Sequence, residues 1–253
     1  MDGDYDSLES DAEYEDPTWS PIIRAVMDLD VQALRHELAS GVDVNLTEDG
    51  ATPIGFAVNW RSSYAEEKLQ ERLECISMLL EAGASISNIG RDGTSLHYAA
   101  RNESPAYHPV ITLLMESGAD VNAVNYFGES VLDSAAESGT AGAVRVLISA
   151  GAAPTSRALD LAITNGKRRS CAQLLRAGAA LPAVITEPLP EWQTPVFPQT
   201  CAYIEKIRAA GGYKAYEKAH RQRLTVIFLE KFPALPVEML GRVLEFTWDI
   251  GGH

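Results

Sequence analysis

The 253-residue sequence predicts a mainly α solenoid: about five helix-pair repeats with short hairpin fingers, followed by a small helical C-terminal box. Three observations lead there. A short helix-start pattern recurs along the chain, each copy runs into a leucine-rich helix end, and each end is stopped by a glycine at a nearly constant distance.

The units run in order. SPIIRAV starts at Ser20 and leads to Gly41; TPIGFAV starts at Thr52 and leads to Gly83. TSLHYAA starts at Thr94 and leads to Gly118, SVLDSAA at Ser130 to Gly151, and RALDLAI at Arg157 to Gly178. The start-to-glycine distances are 21, 31, 24, 21 and 21 residues, so one unit length recurs three times and two units carry insertions of 10 and 3. Each feature has a physical reason. Ser or Thr at the start accepts a backbone N–H bond, and Pro in the next position loses no useful donor. The paired alanines let helices approach closely, and the closing glycine suits a left-handed C-cap. The 11 or 12 residues from a glycine to the next start have room for a hairpin; the six between Gly151 and Arg157 do not, so units four and five should pack through helices alone.

SLHYAA with SGADVNA (117–123) carries the pattern T-P-L-H-x-A-A followed by L-L-x-x-G-A-D-V-N, and residues 20–181 resemble the ankyrin repeat. The resemblance implies stacked helix pairs with hairpin fingers on one side, each unit burying its apolar face only against its neighbours. The family histidine, which ties the helix start by hydrogen bonds, survives as His97; Ile23, Gly55, Asp133 and Asp160 stand at the equivalent positions. Asp133 and Asp160 should lie in first helical turns, where a negative charge is favoured by about a few tenths of a kcal/mol.

In the family, partners meet the finger tips and the exposed ends of the first helices. Carried onto this chain, the tips are Glu48 and Asp49, Arg91 and Asp92, and Tyr126, Phe127 and Glu129. The helix ends are Met27 and Asp28, Asn59 and Trp60, Arg101 and Asn102, Glu137 and Ser138, and Thr164 and Asn165. Trp60, Arg101, Tyr126 and Phe127 are of the types that dominate interface hot spots. The bland alternative has Trp60 packed under the insertion and Phe127 folded back on its hairpin. Asn122 is similar in its surroundings to ankyrin asparagines hydroxylated by an oxygen-sensing dioxygenase; the alternative is a turn asparagine bonding its own backbone.

The insertion in unit two reads as an extended, solvated second helix, with Leu69, Leu73, Ile76 and Leu80 on one face and Arg72 among the residues placed mostly elsewhere. ESPAYHP (103–109) should form a loop on the same edge. Four boundaries are expected: an acidic disordered tail over 1–18, the array over 19–181, a proline-rich linker over 182–200 and a helical cap or box over 201–253. In the last, CAYIEKIRAAGG gives a short helix, YKAYEKAHRQRLTVIFLEKF a longer one with a basic stretch at Lys214, Lys218, Arg221 and Arg223, and LPVEMLGRVLEFTW a third. That layout resembles ankyrin–SOCS-box ubiquitin-ligase adaptors. The resemblance implies ligase recruitment through Leu235, Pro236 and Leu240, although Glu238 replaces the family's second proline and the upstream helix lacks its cysteine. The same residues equally resemble the opening of an F-box. The competing expectation is a bundle that caps the last repeat.

Composition narrows the function. The formal net charge is −14, and eight of those charges (Asp2, Asp4, Asp6, Glu9, Asp11, Glu13, Glu15, Asp16) fall within residues 1–20, which hold no Lys or Arg. A general nucleic-acid binder is not expected on this charge. No apolar run approaches the roughly 18–20 residues of a membrane helix. Cys75, Cys171 and Cys201 are too dispersed for a metal clasp, and no G-x-S-x-G, G-x-G-x-x-G or H-E-x-x-H occurs. The acidic start lacks the pattern of a signal peptide. The expectation is a non-enzymatic, cytoplasmic or nuclear scaffold, monomeric when free, without cofactor or metal, that binds a protein partner; the alternative is a substrate adaptor of a cullin-type ubiquitin ligase recruiting the ligase through 201–253.

Overall fold

In a computed structural model of the chain, the residues described are 19–59, 67–87, 93–185 and 196–231. Five helix pairs succeed one another: α1 (Pro21–Met27) with α2 (Val31–Ala39), α3 (Pro53–Asn59) with α4 (Leu69–Glu81), and α5 (Ser95–Arg101) with α6 (His108–Glu116). Then come α7 (Val131–Glu137) with α8 (Ala141–Ser149), and α9 (Ser156–Thr164) with α10 (Arg168–Arg176). The first helices pack in a row, α1 on α3 on α5 on α7 on α9, and the second helices form a parallel row outside them. A sixth pair, α11 (Phe197–Ala209) and α12 (Tyr213–Lys231), continues both rows, α11 on α9 and α12 on α10.

The outer helices end alike because their sequences end alike. Gly83, Gly118, Gly151 and Gly178 all sit at positive φ, between 90° and 101°. The alanine after each glycine sends its N–H back to a fully buried leucine carbonyl, Leu79, Leu114, Leu147 or Leu174. This closes the helix as a Schellman motif and turns the chain toward the next unit. A side chain at these glycines would carry the steric cost of the left-handed region.

The inner row packs tightly because it is built of small residues. Ala57, Ala99, Ala100, Ala135, Ala136 and Ala162 are wholly buried, with Ile54, Leu96, Leu132 and Leu159 filling the space between the rows. Fully burying each such larger aliphatic side chain contributes about 1.5–3 kcal/mol. Buried residues form one continuous cluster from Ile22 to Tyr213, so α11 and α12 share the array's core. At the other end Trp19 meets Phe56 edge-on, with ring centroids 5.2 Å apart. The hairpins are minimal: Glu48 with Ala51, and Val124 with Ser130, form single antiparallel bridges. No helix among the described residues is long and apolar enough to cross a membrane.

Several local expectations need correction. Helix α9 starts at Ser156 behind the N-cap Thr155, so Asp160 lies beyond the first turn, whereas Asp133 is within it. Thr155 accepts the N–H of Ala158 and is the better cap, which draws the helix start forward from Arg157. Helix α11 begins at Phe197, with Pro198 in its first turn, rather than after the proline-rich stretch. In α4 the buried stripe is Arg72, Cys75, Ile76 and Leu79, while Leu69, Leu73 and Leu80 are half-buried. Arg72 is therefore inside. Its guanidinium donates to the Ala57 carbonyl at the end of α3 and lies 5.4 Å from the centre of the buried Tyr107 ring. Tyr107 belongs to ESPAYHP, so the two insertions pack on each other.

The finger and inner-helix face as a candidate partner site

The finger between units three and four is braced from both sides. Asn125, nearly buried, accepts the N–H groups of Phe127 and Glu129 on its Oδ1 (both 2.9 Å) and donates from Nδ2 to the Glu129 carboxylate (3.0 Å). From the next unit, Arg157 donates to the other Glu129 oxygen (2.9 Å) and to the Gly128 carbonyl (3.3 Å). From the preceding unit, His97 reaches the Glu129 carbonyl through Nε2 (3.1 Å). Its Nδ1 accepts the Thr94 N–H (3.1 Å), which fixes the neutral ring with its hydrogen on Nε2. Burial holds the His97 pKa below its ordinary value of 6.5 and favours the neutral ring.

On this braced turn the apolar side chains face outward. Tyr126 is 84% exposed, Phe127 59% and Val124 54%. Tyr126 and Phe127 meet edge-to-face, with centroids 5.7 Å apart. Phe127 does not fold back on its hairpin: the two rings support one another in solvent. The backbone beneath them is already fixed, so a partner meeting them faces little further ordering cost.

The remaining predicted residues have mixed placements. Glu48 accepts the Ser20 N–H (3.0 Å) and seals the start of α1, while Asp49 is exposed at φ 47°. Arg101 and Glu137, at the ends of α5 and α7, form a half-buried ion pair of 3.4 Å on the inner face. Asn102 accepts the Ser104 N–H (2.9 Å) and shapes the turn after α5. Glu129 is taken up by Asn125 and Arg157, so it braces the finger from within. Trp60, Arg91, Leu235, Pro236 and Leu240 lie outside the described residues. Asn122 does not bond its own backbone through its side chain: its Oδ1 accepts the Ala153 N–H (3.1 Å) and its Nδ2 faces the Gly151 carbonyl (3.5 Å) in the next unit. Asn45 makes the same tie to Ser85 and Gly83. Sequence reasoning missed the bracing residues Asn125 and Arg157; the N-x-x-x-E spacing of Asn125 and Glu129 is their only local trace.

A short-hairpin array whose inner helices and fingers share one face defines a helical-repeat binding protein. The family comparison names it: the chain matches ankyrin repeats (3 copies) over residues 64–158 and 96–183, and it is an ankyrin-repeat protein. It is similar to the E3 ubiquitin-protein ligase Ufd4 of Drosophila melanogaster, 32% identical over 123 residues, which are 48% of this chain and 4% of that protein. Its fold resembles the human ASB11 ankyrin repeat domain, with a TM-score of 0.52, 23% identity and coverage of 64% of this chain and 71% of that one. Ankyrin repeats are protein-interaction modules, typically non-catalytic.

Proposed function

We propose that the chain is a non-enzymatic scaffold that holds a protein partner on the finger and inner-helix face, centred on Tyr126 and Phe127. The observation that carries this is the exposed aromatic pair on a turn braced by Asn125, His97 and Arg157. Large aromatic residues on a pre-ordered backbone are the usual anchors of an interface. Asp49, Arg101 and Glu137 lie on the same run of fingers and inner helices and supply a polar rim. A double substitution, Tyr126→Ala with Phe127→Ala, should keep the helical circular dichroism and thermal midpoint while losing the proteins captured by the unaltered chain. Capture unchanged by the double substitution would remove the finger from the site.

A second reading has one observation in its favour. The distal half of α12 leaves Val226, Ile227 and Leu229 between 37% and 56% exposed, an apolar surface the array does not use. On this reading the array selects cargo and residues 201–253 recruit a cullin-type ubiquitin ligase, with Leu235, Pro236 and Leu240 as contacts. The relative that matches the array is itself a ligase, which supports the direction. Leu235→Ala with Pro236→Ala, run in the same capture, should then lose ligase subunits and keep the cargo.

A further inference from the structure

On the edge opposite the fingers, where inner helices turn into outer ones, a cleft of about 520 Å³ opens between units three, four and five. Its wall is made by Glu103, residues 139–141 at the start of α8 and residues 166–170, which lead into and open α10. Three consecutive cations, Lys167, Arg168 and Arg169, stand in it on a chain whose net charge is −14. Lys167 is satisfied by Glu103 (2.6 Å) and the Ser138 carbonyl (3.2 Å). Arg168 stacks on the Tyr203 ring at 4.7 Å and its buried Nε has no hydrogen-bond partner; neither it nor Arg169 pairs with an acid among the described residues.

The donors at the base of the cleft are also open. Helix α10 has no side-chain cap, unlike α7, α8 and α9. The backbone N–H groups of Arg169 and Ser170 have no acceptor among the described residues. Ser170 is only 2% exposed, lines the cleft, and its hydroxyl forms no hydrogen bond to another described residue. Uncapped amides, the hydroxyl of a nearly buried serine and two guanidiniums without an acid converge on one opening. That arrangement is chemically complementary to carboxylates.

We propose that this cleft holds the acidic N-terminal segment of the same chain through the carboxylates of Asp2, Asp4 and Asp6. Residues 1–18 carry eight acids and no cation, the strongest negative block in the sequence. Reach permits it. Four helix-to-helix steps of about 8–10 Å and one short helix of about 10 Å separate the start of α1 from the cleft. Thirteen to seventeen extended residues between these aspartates and Trp19 span about 43–56 Å. Tethering gives the segment an effective concentration that a free acidic peptide must exceed to displace it.

The test uses the full chain carrying a nitroxide at Tyr5→Cys, with Cys201→Ser to leave the buried Cys75 and Cys171 as the other thiols. Amide signals of Gly139, Ala141, Arg169 and Ser170 should fall below half their intensity in the reduced sample at low salt. They should recover when Asp2, Asp4 and Asp6 are all changed to Asn, with Arg169→Glu, and at about 0.5 M salt, where screening reaches a few ångströms. The triple Asn variant leaves the array untouched, so its recovery is not a folding defect. Undiminished signals overturn the proposal, as does broadening confined to Lys214, Lys218 and Arg221 on α12. Broadening of an isotope-labelled, nitroxide-free chain by a nitroxide-bearing unlabelled one overturns it in favour of a second copy's tail.

Discussion

His97 and Asp133 occupy the same position of successive units and solve the same problem with opposite chemistry. Each bonds the backbone N–H of its own N-cap residue, His97 to Thr94 and Asp133 to Ser130 (2.9 Å), and each reaches forward, to the Glu129 carbonyl and to the Thr155 hydroxyl (3.1 Å). The histidine brace fails when its ring is protonated. Protonation would put a hydrogen on Nδ1, where the Thr94 amide already points. Burial lowers the His97 pKa; Arg101 repels the charged ring, while Glu129 and Asp133 favour it. Because the folded value lies below the unfolded one, the contribution is present above about pH 6.5 and is lost as pH falls through the folded value. The urea midpoint should therefore drop between about pH 7.5 and 5, and the drop should shrink in His97→Gln. His108 contributes in the same sense, because its pKa is also lowered by burial and by Arg145. An identical pH slope in both chains would show that His97 is not the titrating group. The motif SLHYAA made His97 readable from sequence; Asp133 was visible as a departure, but its bond to Thr155 depends on the next unit and left no local trace.

At the scale of elements, the turn from inner to outer helix is the tightest joint. A Cβ on Gly139 would stand 2.2 Å from the Ala100 carbonyl oxygen and 2.9 Å from that of Ala135. Both are backbone atoms of packed inner helices, so neither can yield cheaply. Gly139→Ala should destabilise the chain by about 1–3 kcal/mol, read from chemical denaturation. Gly41→Ala meets no atom within 4 Å and should cost only the strain of its positive φ. An equal loss in both variants would mean that conformation, not contact, sets the cost at Gly139. Helix ends and repeat lengths were legible because each unit carries its own stop glycine behind a leucine-bearing helix end. The inward Arg72 was not. A guanidinium on an otherwise amphipathic helix reads as solvent-facing, and the Tyr107 ring and the Ala57 carbonyl, brought together by two insertions, help to make its burial tolerable.

For the whole molecule, stability runs along a line of neighbours, and the last repeat depends on the helix pair stacked against it. Helices α11 and α12 cover α9 and α10, with Phe197, Ile204 and Ile207 entering the shared core. A chain ending at residue 185 should show faster amide exchange in α9 and α10, by about tenfold or more, with α1 to α5 little changed. Uniform exchange across the array would contradict a linear chain of dependencies. The sequence pattern predicted a helical unit after the array, with a cap on the last repeat as one expectation, and the pairing of α11 with α9 and α12 with α10 came from the structure. The cross-unit ties join each unit to the one that follows it. Ser20 is sealed by Glu48, Asn45 bonds Ser85, His97 bonds Glu129, Asn122 bonds Ala153, and Asp133 accepts from Thr155: in each case the earlier residue finds its partner later in the chain. On a ribosome, which releases the N-terminus first, every lock must therefore wait for the unit behind it. The array closes one tooth late throughout its synthesis, and its final tooth closes only when α11 and α12 have emerged.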